Sequence, residues 1–401
     1  MGMGYERAAD ASDADVVIVN TCGFIEQAKR ESIDEILTLS SSKREGQELV
    51  VMGCLAKRYE SQLRRELPEV DRFFGLAEDK DMSNFLTRGA GAKPAGDVHW
   101  QSLGDVSHVV PLKVAEGCNR RCSFCVIPSI RGPFRSRKPE EILREAEQRV
   151  GQGARELMLV AQDLSRYGAG LGGYGLPELL SDLSRIEGEF WIRPMYLYPT
   201  EIDSALIEAI ADTPKVVKYI DVPLQHASDK VLRAMARKGS EAGYRRLIEL
   251  LRREIPGVFI RTSMIVGLPG ESEADFRRLL AFIRDIRFDH LGAFLYSREE
   301  GSAAADMKPQ VSAKVAMRRY DELMGAQAEI SYELNRAMVG RRMRVLIDEV
   351  SPDATICRHE GQAYEIDGAI IIKGEKQLKP GQFIDVEITG ASEYDLEARA
   401  L

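Results

Sequence analysis

The most informative part of this sequence is EGCNRRCSFCVIP, at positions 116–128. It places Cys118, Cys122 and Cys125 at the spacing C-x3-C-x2-C, directly after a strand-like run, LKVAEG. Three thiolates on one loop can hold three irons of a [4Fe–4S] cluster, which normally takes four cysteines. The fourth iron then stays open, as radical chemistry on S-adenosylmethionine (SAM) requires. The loop therefore predicts an iron–sulfur site that binds SAM.

Two other interpretations of these cysteines stay open at this point. A structural zinc site would need four ligands, often including histidine. No histidine or fourth cysteine lies close by, since His108 is well upstream and His226 is distant. Three unrelated core cysteines are the other alternative. The ligand count favours the iron–sulfur site over both.

Length and composition limit the class of protein. The 401 residues suggest two or three domains, and a hydrophobic fraction of 44% with 29% charged residues excludes a largely disordered chain. Acidic residues outnumber basic ones by 63 to 55, which argues against a broad nucleic-acid-coating surface. No apolar run is long enough for a transmembrane helix, and the start has no signal-peptide core. We therefore expect a soluble, reducing, cytoplasmic setting and no membrane partner.

The chain begins with alternating strand and helix patterns. Strands are predicted at 15–20, 48–53 and 72–75, and helices at 25–39, 55–66 and 78–88. This order is typical of a small parallel sheet. Cys22 and Cys54 each follow a strand, at the edge where open α/β sheets bind ligands. A Gly- and Ala-rich linker is expected at 89–105.

A second alternating series follows the linker. Strands are predicted at 110–116, 156–162, 191–198, 218–224, 258–266 and 290–296, and helices at 139–150, 176–186, 203–211, 242–254, 272–286 and 311–337. Six strands alternating with helices imply a parallel sheet, either open or curled into a partial barrel.

The last segment, 338–401, changes to short strands separated by turns. It predicts a small antiparallel barrel of the OB or a related type. This segment carries 8 Lys and Arg against 12 Asp and Glu, so its net charge is 8 − 12 = −4.

The cysteine loop, in which Phe124 directly precedes the last cysteine, resembles the signature of the radical-SAM superfamily. The resemblance implies a partial (β/α)6 barrel with the cluster loop after its first strand. Segment 265–271 (IVGLPGE) is similar to the element that packs near the adenine of SAM, with Gly267 and Gly270 matching. Alone, such a Gly-Pro-Gly string is more often a simple turn.

The superfamily's usual glycine-rich element after the second strand is not evident. VAQDLSRYG stands there, at 160–168, and Gln162 and Asp163 are the candidates for its polar contacts with SAM.

Five strings together resemble a narrower family, the methylthiotransferases, over nearly the full length. They are VNTCGFI (19–25), MGCLAKRY (52–59), EGCNRRCSFCVIPSIRG (116–132), DVPLQHAS (221–228) and VGLPGESEADF (266–276). The resemblance implies an α/β protein of three domains: an incomplete Rossmann-like domain at 1–90, a radical-SAM core at 104–333 and a TRAM barrel at 336–401. It adds Gln225, in DVPLQHAS, to the candidate SAM contacts.

The resemblance also implies the chemistry and two [4Fe–4S] clusters. The cluster at Cys118, Cys122 and Cys125 would cleave SAM to a 5′-deoxyadenosyl radical that removes a hydrogen from an unactivated carbon. The N-terminal cluster, with Cys22 and Cys54 as ligands, would supply sulfur, and a second SAM the methyl group. Arg131, Arg135 and Arg137 could receive a carboxylate, or be only a solvated loop. The resemblance does not identify the electron donor.

The family's branches modify either an aspartate of ribosomal protein uS12 or adenosine in tRNA. SIRGPFRSR (129–137), DVPLQHAS, EIDGA (365–369) and SEYDLEA (392–398) resemble the uS12 branch. An RNA-binding barrel should be basic, whereas an acidic one suits a basic ribosomal protein. We therefore expect uS12, free or on the ribosome, rather than tRNA as the substrate. The acidity could also be only a solvated surface.

The N-terminus departs from the family pattern, in which three cysteines hold the second cluster. Only Cys22 and Cys54 are present here, and Cys357 is interpreted as a free structural cysteine. We expect that the sequence starts late, through truncation or a misassigned start. If it is complete, the second cluster should be labile and sulfur insertion impaired, while SAM cleavage survives. A non-enzymatic, metal-stabilised RNA-binding protein is the alternative from another class.

Overall fold

The computed structural model describes residues 6, 8–76, 80–89, 107–374 and 377–401. The chain forms two compact units. One combines residues 1–105, 124–132 and 297–305, and the other combines 106–123, 133–296 and 306–401. The predicted linker at 89–105 lies outside the described residues from position 90 onward.

The first unit is built on a three-stranded parallel sheet in the order β1-β2-β3. Its elements are β1 (Val16–Thr21), α1 (Glu26–Ser41), β2 (Glu48–Gly53), α2 (Cys54–Glu66), β3 (Arg72–Phe73), α3 (Lys80–Gly89) and, from later in the chain, α4 (Ile127–Arg131). Leu49 and Val51 pack into one core cluster and Val50 and Met52 into another. Strand β2 is therefore covered on both faces, which explains why its sequence is continuously apolar rather than alternating.

The second unit begins with the barrel-like α/β core. Its strands are β4 (Val109–Lys113), β5 (Ala115–Glu116), β6 (Arg135–Ser136), β7 (Glu156–Val160), β8 (Trp191–Pro194), β9 (Tyr219–Asp221), β10 (Phe259–Val266) and β11 (His290–Leu295). Its helices are α5 (Pro139–Gly151), α6 (Leu176–Ser184), α7 (Ser204–Asp212), α8 (Asp229–Ala234), α9 (Glu241–Glu254), α10 (Glu273–Ile286) and α11 (Ala313–Arg336).

The six strands that the sequence predicts for this core form two parallel groups of three. The orders are β4-β7-β8 and β11-β10-β9, and one parallel bridge between Ile192 and Val216 extends the first group toward the second. Two short strands, β5 and β6, pair antiparallel across the cysteine loop, with Glu116 opposite Arg135. The predicted order of strands and helices is confirmed, whereas the short α8 and the β5–β6 pair lack a long periodic pattern and were not predicted.

The C-terminal part of the second unit is a closed five-stranded barrel in the order β12-β13-β14-β16-β15. Its strands are β12 (Arg342–Val350), β13 (Ala354–His359), β14 (Ile370–Lys373), β15 (Phe383–Ala391) and β16 (Leu396–Ala400). Inward-facing Val345, Ile347, Ile370 and Val386 form its core together with Cys357. The predicted small barrel is confirmed, except that β14 and β16 pair in parallel and not antiparallel.

Residues 358–367 of this barrel cover the amino-terminal ends of the core strands. The contacts are Arg358 with Glu156 (2.9 Å), Arg193 with the Glu360 carbonyl (2.8 Å), the Tyr219 hydroxyl with Asp367 (2.7 Å) and His290 with the Gly361 carbonyl (2.7 Å). Glu156, Tyr219 and His290 are the first residues of β7, β9 and β11. The opposite, carboxyl ends of the strands carry the loops of the candidate site, as is usual for parallel α/β barrels. None of the helices described here has the length and apolarity that crossing a membrane requires.

Candidate functional site

Cys118 and Cys122 lie on the loop that leaves the core after β5. Cys118 is buried, and its sulfur accepts a hydrogen bond from the Arg120 backbone N–H at 3.4 Å. Burial raises the pKa of the Cys118 thiol, and the nearby Asp163 carboxylate adds to the effect. A thiol in such surroundings ionises when a cationic metal centre binds its sulfur.

Three hydrogen bonds hold the cysteine loop in place. The Gln162 side-chain oxygen accepts from the Gly117 N–H at 2.8 Å, and the Asn119 side-chain oxygen accepts from the Phe134 N–H at 3.0 Å. The Ser123 N–H donates to the Met235 carbonyl at 2.9 Å. The amide oxygen of Gln162, a predicted SAM contact, thus anchors the residue before Cys118.

Two guanidinium groups lie close to one aromatic ring beside this loop. Arg120 lies 3.8 Å and Arg237 4.5 Å from the centre of the Tyr198 ring. Arg120 also pairs with Asp163 at 2.7 Å and Glu201 at 3.0 Å. Burial raises the pKa of Asp163, although the Arg120 guanidinium opposes the shift.

Arg237 is the functional-site candidate that sequence reasoning missed. Its Nη1 lies 3.8 Å from the Cys122 sulfur, across a separation of 115 residues. No motif joins the two positions in the sequence, and only the path of the chain through β8 and α8 brings them together.

Phe124 and Cys125 belong to the first unit. Both are half-buried, and the Cys125 sulfur accepts from the Ile127 N–H at 3.4 Å, at the start of α4. Val126 and Ile130 are buried in one cluster with Cys54. Val126, the residue before α4, and Ile130 of α4 thus pack against a predicted ligand of the N-terminal cluster.

The glycine element after β10 is a tight, buried turn. Gly267 has φ +85°, and a Cβ there would stand 2.7 Å from the Ala316 Cβ. The Glu271 carboxylate accepts from the backbone N–H groups of Gly267 and Leu268. Gly270 has φ +80° and donates its N–H to the Pro309 carbonyl at 2.9 Å. The turn therefore requires glycine at both predicted positions.

Gln225 adopts a backbone conformation that is rare for a residue with a side chain. Its φ is +72°, and its backbone is held by hydrogen bonds to Ser263 and Ile265, both 2.8 Å long. Its side-chain oxygen is buried and has no hydrogen-bond partner. Strained residues with unsatisfied polar atoms are typical of ligand sites.

Cys22 and Cys54 follow paired strands of the first unit. Thr21 of β1 lies directly opposite Gly53 of β2, so the cysteines come next along neighbouring strands. The loops pack closely, because a Cβ on Gly23 would stand 2.8 Å from the Cys54 carbonyl oxygen. Cys22 is exposed and Cys54 is buried. The sheet register therefore brings the two loops to one edge.

The predicted basic group divides between different surroundings. Arg131 ends α4 in the first unit, and Arg135 is exposed in β6. Arg137 pairs with Glu145 at 2.8 Å. Its charge is therefore already balanced within the fold.

All six cysteines are free thiols. Across the described ranges, no three histidine, cysteine, aspartate or glutamate side chains converge as a ready-made set of metal ligands. Cys357 lies in the core of the C-terminal barrel, where burial raises the pKa of its thiol to about 12. Its sulfur donates to the Ile370 carbonyl at 3.4 Å, as expected of a structural cysteine.

Comparison with protein families identifies three segments. Residues 112–283 match the model described as Radical SAM superfamily, and residues 339–401 match the TRAM domain. Residues 1–75 match the model described as Uncharacterized protein family UPF0004.

Solved structures support the fold. A radical S-adenosylmethionine methyltransferase, TsrM from Kitasatospora setae, superimposes with a TM-score of 0.54 at 14% identity, over 71% of this chain and 65% of that chain. A second TsrM structure, with tryptophan and a SAM analogue bound, gives a TM-score of 0.56 at 13% identity over 85% and 69%. At these identities the likeness concerns the fold alone.

Curated relatives are far more similar in sequence. The ribosomal protein uS12 methylthiotransferase RimO of Thermodesulfovibrio yellowstonii is 45% identical over 98% of this chain and 92% of its own length. The proteins of the same name from Anaeromyxobacter sp. and Geobacter sulfurreducens are 45% and 44% identical, over 99% and 98% of this chain and 88% and 91% of their own lengths. With its radical-SAM core and TRAM barrel, the chain belongs to the radical-SAM methylthiotransferase family, in the group of the ribosomal protein uS12 methylthiotransferases.

Proposed function

We propose that this enzyme adds a methylthio group to the β-carbon of an aspartate in ribosomal protein uS12. The observation that supports the substrate most strongly is the 45% identity to a uS12 methylthiotransferase over 98% of the chain. The acidic barrel supports it independently, because its net charge of 8 − 12 = −4 complements a basic ribosomal protein. The same charge disfavours tRNA, whose phosphates bind basic surfaces.

SAM and an iron–sulfur cluster are the cofactors of this family. We assign the radical-SAM cluster to Cys118, Cys122 and Cys125, since all three are free thiols on one loop. A buried cation beside Cys122 fits an anionic cluster at this place. When bound, the cluster supplies the electron that cleaves SAM. We assign Gly267, Gly270, Gln225, Gln162 and Phe124 to the SAM pocket, with Gln162 acting through its hold on Gly117.

A second cluster is assigned to the N-terminal unit, with Cys22 and Cys54 as the two ligands that this chain supplies. The paired register of Thr21 and Gly53 and the close packing of Gly23 on Cys54 support this assignment. Sulfur for the new C–S bond would come from this cluster. We place the N-terminal domain at residues 1–90, the radical-SAM core at 104–333 and the TRAM domain at 336–401.

The decisive experiment uses the purified chain after anaerobic reconstitution with iron and sulfide. It is incubated with SAM, dithionite and either uS12 or unmodified tRNA, and both products are analysed by mass spectrometry. We expect methylthiolation of a uS12 aspartate, at the reduced rate that a labile second cluster allows, and no methylthiolation of tRNA. Methylthioadenosine in tRNA with unmodified uS12 would establish the alternative substrate. A chain that binds zinc and forms no 5′-deoxyadenosine would contradict an enzymatic role altogether.

A further inference from the structure

Arg237 is a buried cation without a counter-ion. Only 9% of its surface is exposed. Among the residues that the structure describes, no carboxylate lies within ion-pair distance of its guanidinium. Its Nε is buried and has no hydrogen-bond partner. A buried charge in this state is unfavourable unless an anion completes its surroundings.

Its neighbour Arg120 shows how the fold treats a comparable charge. The two guanidinium groups lie against the same Tyr198 ring. Arg120 is neutralised by Asp163 and Glu201, at 2.7 and 3.0 Å. The missing carboxylate at Arg237 is therefore a specific property of that position.

The fold holds the Arg237 guanidinium in one orientation. Its Nη2 donates to the Pro223 carbonyl at 2.6 Å, and its face lies against Tyr198. The Tyr198 hydroxyl in turn accepts from the Lys238 N–H at 3.2 Å. These contacts leave Nη1 directed at the Cys122 sulfur, 3.8 Å away.

The backbone before Arg237 also adopts a strained conformation to present it. Helix α8 ends with Ala236 at φ +52°, in the left-handed position where glycine is usual. The Arg237 N–H donates to the Leu232 carbonyl at 3.0 Å, and the Ala236 N–H to the Arg233 carbonyl at 3.0 Å, which completes a Schellman turn. This turn reverses the chain and directs Arg237 back toward the cysteine loop.

We propose that Arg237 is a positioning and tuning residue for the radical-SAM cluster, acting through the Cys122 thiolate, and that it raises the cluster's reduction potential. The inference rests on the proposed assignment of Cys118, Cys122 and Cys125. Reduction by one electron adds one negative charge to the cluster, so a fixed cation that donates to a ligand sulfur stabilises the reduced state more than the oxidised state. Arg237 would thus make electron entry easier while also neutralising the Cys122 thiolate.

The test is a redox titration of the full-length chain carrying Cys22→Ala and Cys54→Ala, so that only the radical-SAM cluster contributes. Arg237→Gln removes the charge, and Arg237→Lys keeps it. Arg253→Gln is the matched control, since Arg253 is exposed and forms a surface ion pair with its neighbour Glu254. Each variant is reconstituted anaerobically and titrated with dithionite and mediators while the reduced cluster is followed by electron paramagnetic resonance.

We expect Arg237→Gln to lower the midpoint potential clearly, Arg237→Lys to restore most of the difference, and Arg253→Gln to leave the potential unchanged. Loss of the cluster in Arg237→Gln with retention in Arg237→Lys would equally support a need for the cation. An unchanged potential in Arg237→Gln, or equal loss of cluster in both Arg237 variants, would overturn the inference. A parent chain that binds no iron would instead contradict the proposed function, so the two failures are distinguishable.

Discussion

Arg358 of the TRAM barrel and Glu156 of the radical-SAM core form an ion pair of 2.9 Å in which neither side chain is more than 3% exposed. Arg358 also pairs with Asp348 at 2.6 Å, and Glu156 also pairs with Arg193. The charges are therefore balanced as a set, and removal of one member leaves the others uncompensated in the interior. Such a network fixes one arrangement of its groups more than it adds net stability.

Arg358→Met should lower the free energy of unfolding by about 3 kcal/mol, because it leaves Glu156 and Asp348 buried with fewer partners. Urea denaturation followed by circular dichroism measures the change. Arg344→Gln is the control, since Arg344 is an exposed TRAM arginine that pairs with the exposed Glu189 of the core. That variant should lose less than about 1 kcal/mol. Equal effects of the two substitutions would contradict the importance of burial.

The pH dependence of stability should carry a contribution from His359. Burial lowers the pKa of His359 to about 3, with His290 and Arg193 adding to the shift. The unfolded chain binds a proton at this histidine below pH ~6.5, whereas the folded chain does so only near the lowered value. The contribution of His359 to the free energy of unfolding is therefore fully present above pH ~6.5. It falls by about 1.4 kcal/mol for each pH unit below that value.

His359→Gln should flatten this part of the stability profile. The measurement is the urea midpoint of both chains at several pH values between 4 and 7. We expect the two curves to converge as the pH falls, since the variant lacks the titrating group. Curves that stay parallel over this range would show that His359 does not titrate as its burial implies.

Gly53→Ala should disrupt the N-terminal cysteine loops. Gly53 has φ +106°, and a Cβ there would stand 2.4 Å from the Thr21 carbonyl oxygen. The backbone strain alone costs about 1 kcal/mol, and the clash separates the two strands that present Cys22 and Cys54. We expect less iron per chain after reconstitution, with 5′-deoxyadenosine formation retained. Gly46→Ala is the control, because Gly46 has φ +80° but no atoms near its Cβ position.

Single cysteine replacements should separate three roles. Cys118→Ala should abolish 5′-deoxyadenosine formation, because the radical-SAM cluster loses a ligand. Cys22→Ala should lower the iron content and stop methylthiolation while SAM cleavage continues. Cys357→Ala should change neither activity, since this thiol is packed in the barrel core. Liquid chromatography of the nucleoside product and iron analysis give the readouts, and loss of iron in Cys357→Ala would contradict its structural role.

Much of the fold follows from the sequence because its signals are local. The apolar run of β2 and the periodic pattern of α9 predict those elements to within a residue or two of their bounds at Glu48–Gly53 and Glu241–Glu254. The strands β13 and β16 carry mixed polar residues, and their place is set by pairing within the closed barrel. Local pattern cannot predict elements that depend on such tertiary pairing.

The candidate site likewise combines residues that a local sequence pattern identifies with contacts that depend on the tertiary fold. The three clustered cysteines and the glycines of the turn after β10 are recognisable because their spacing along the chain is itself the signal. The partnership of Arg237 with Cys122 joins positions 115 residues apart, so it depends on the tertiary fold. Gln162 was predicted as a SAM contact, but its bond to the Gly117 N–H becomes visible only when the ends of β5 and β7 are placed together.

Because residues 358–367 cover the core strands, they limit which domains of this enzyme can be exchanged with those of a related enzyme. The TRAM barrel contributes Arg358 and Asp367, and the core contributes Glu156, Arg193 and Tyr219, to one buried set of charges and hydrogen bonds. A chimera that exchanges the barrel alone would join mismatched charges inside the molecule. Engineering a new target preference by grafting a foreign TRAM barrel therefore requires that both halves of this set be transplanted together.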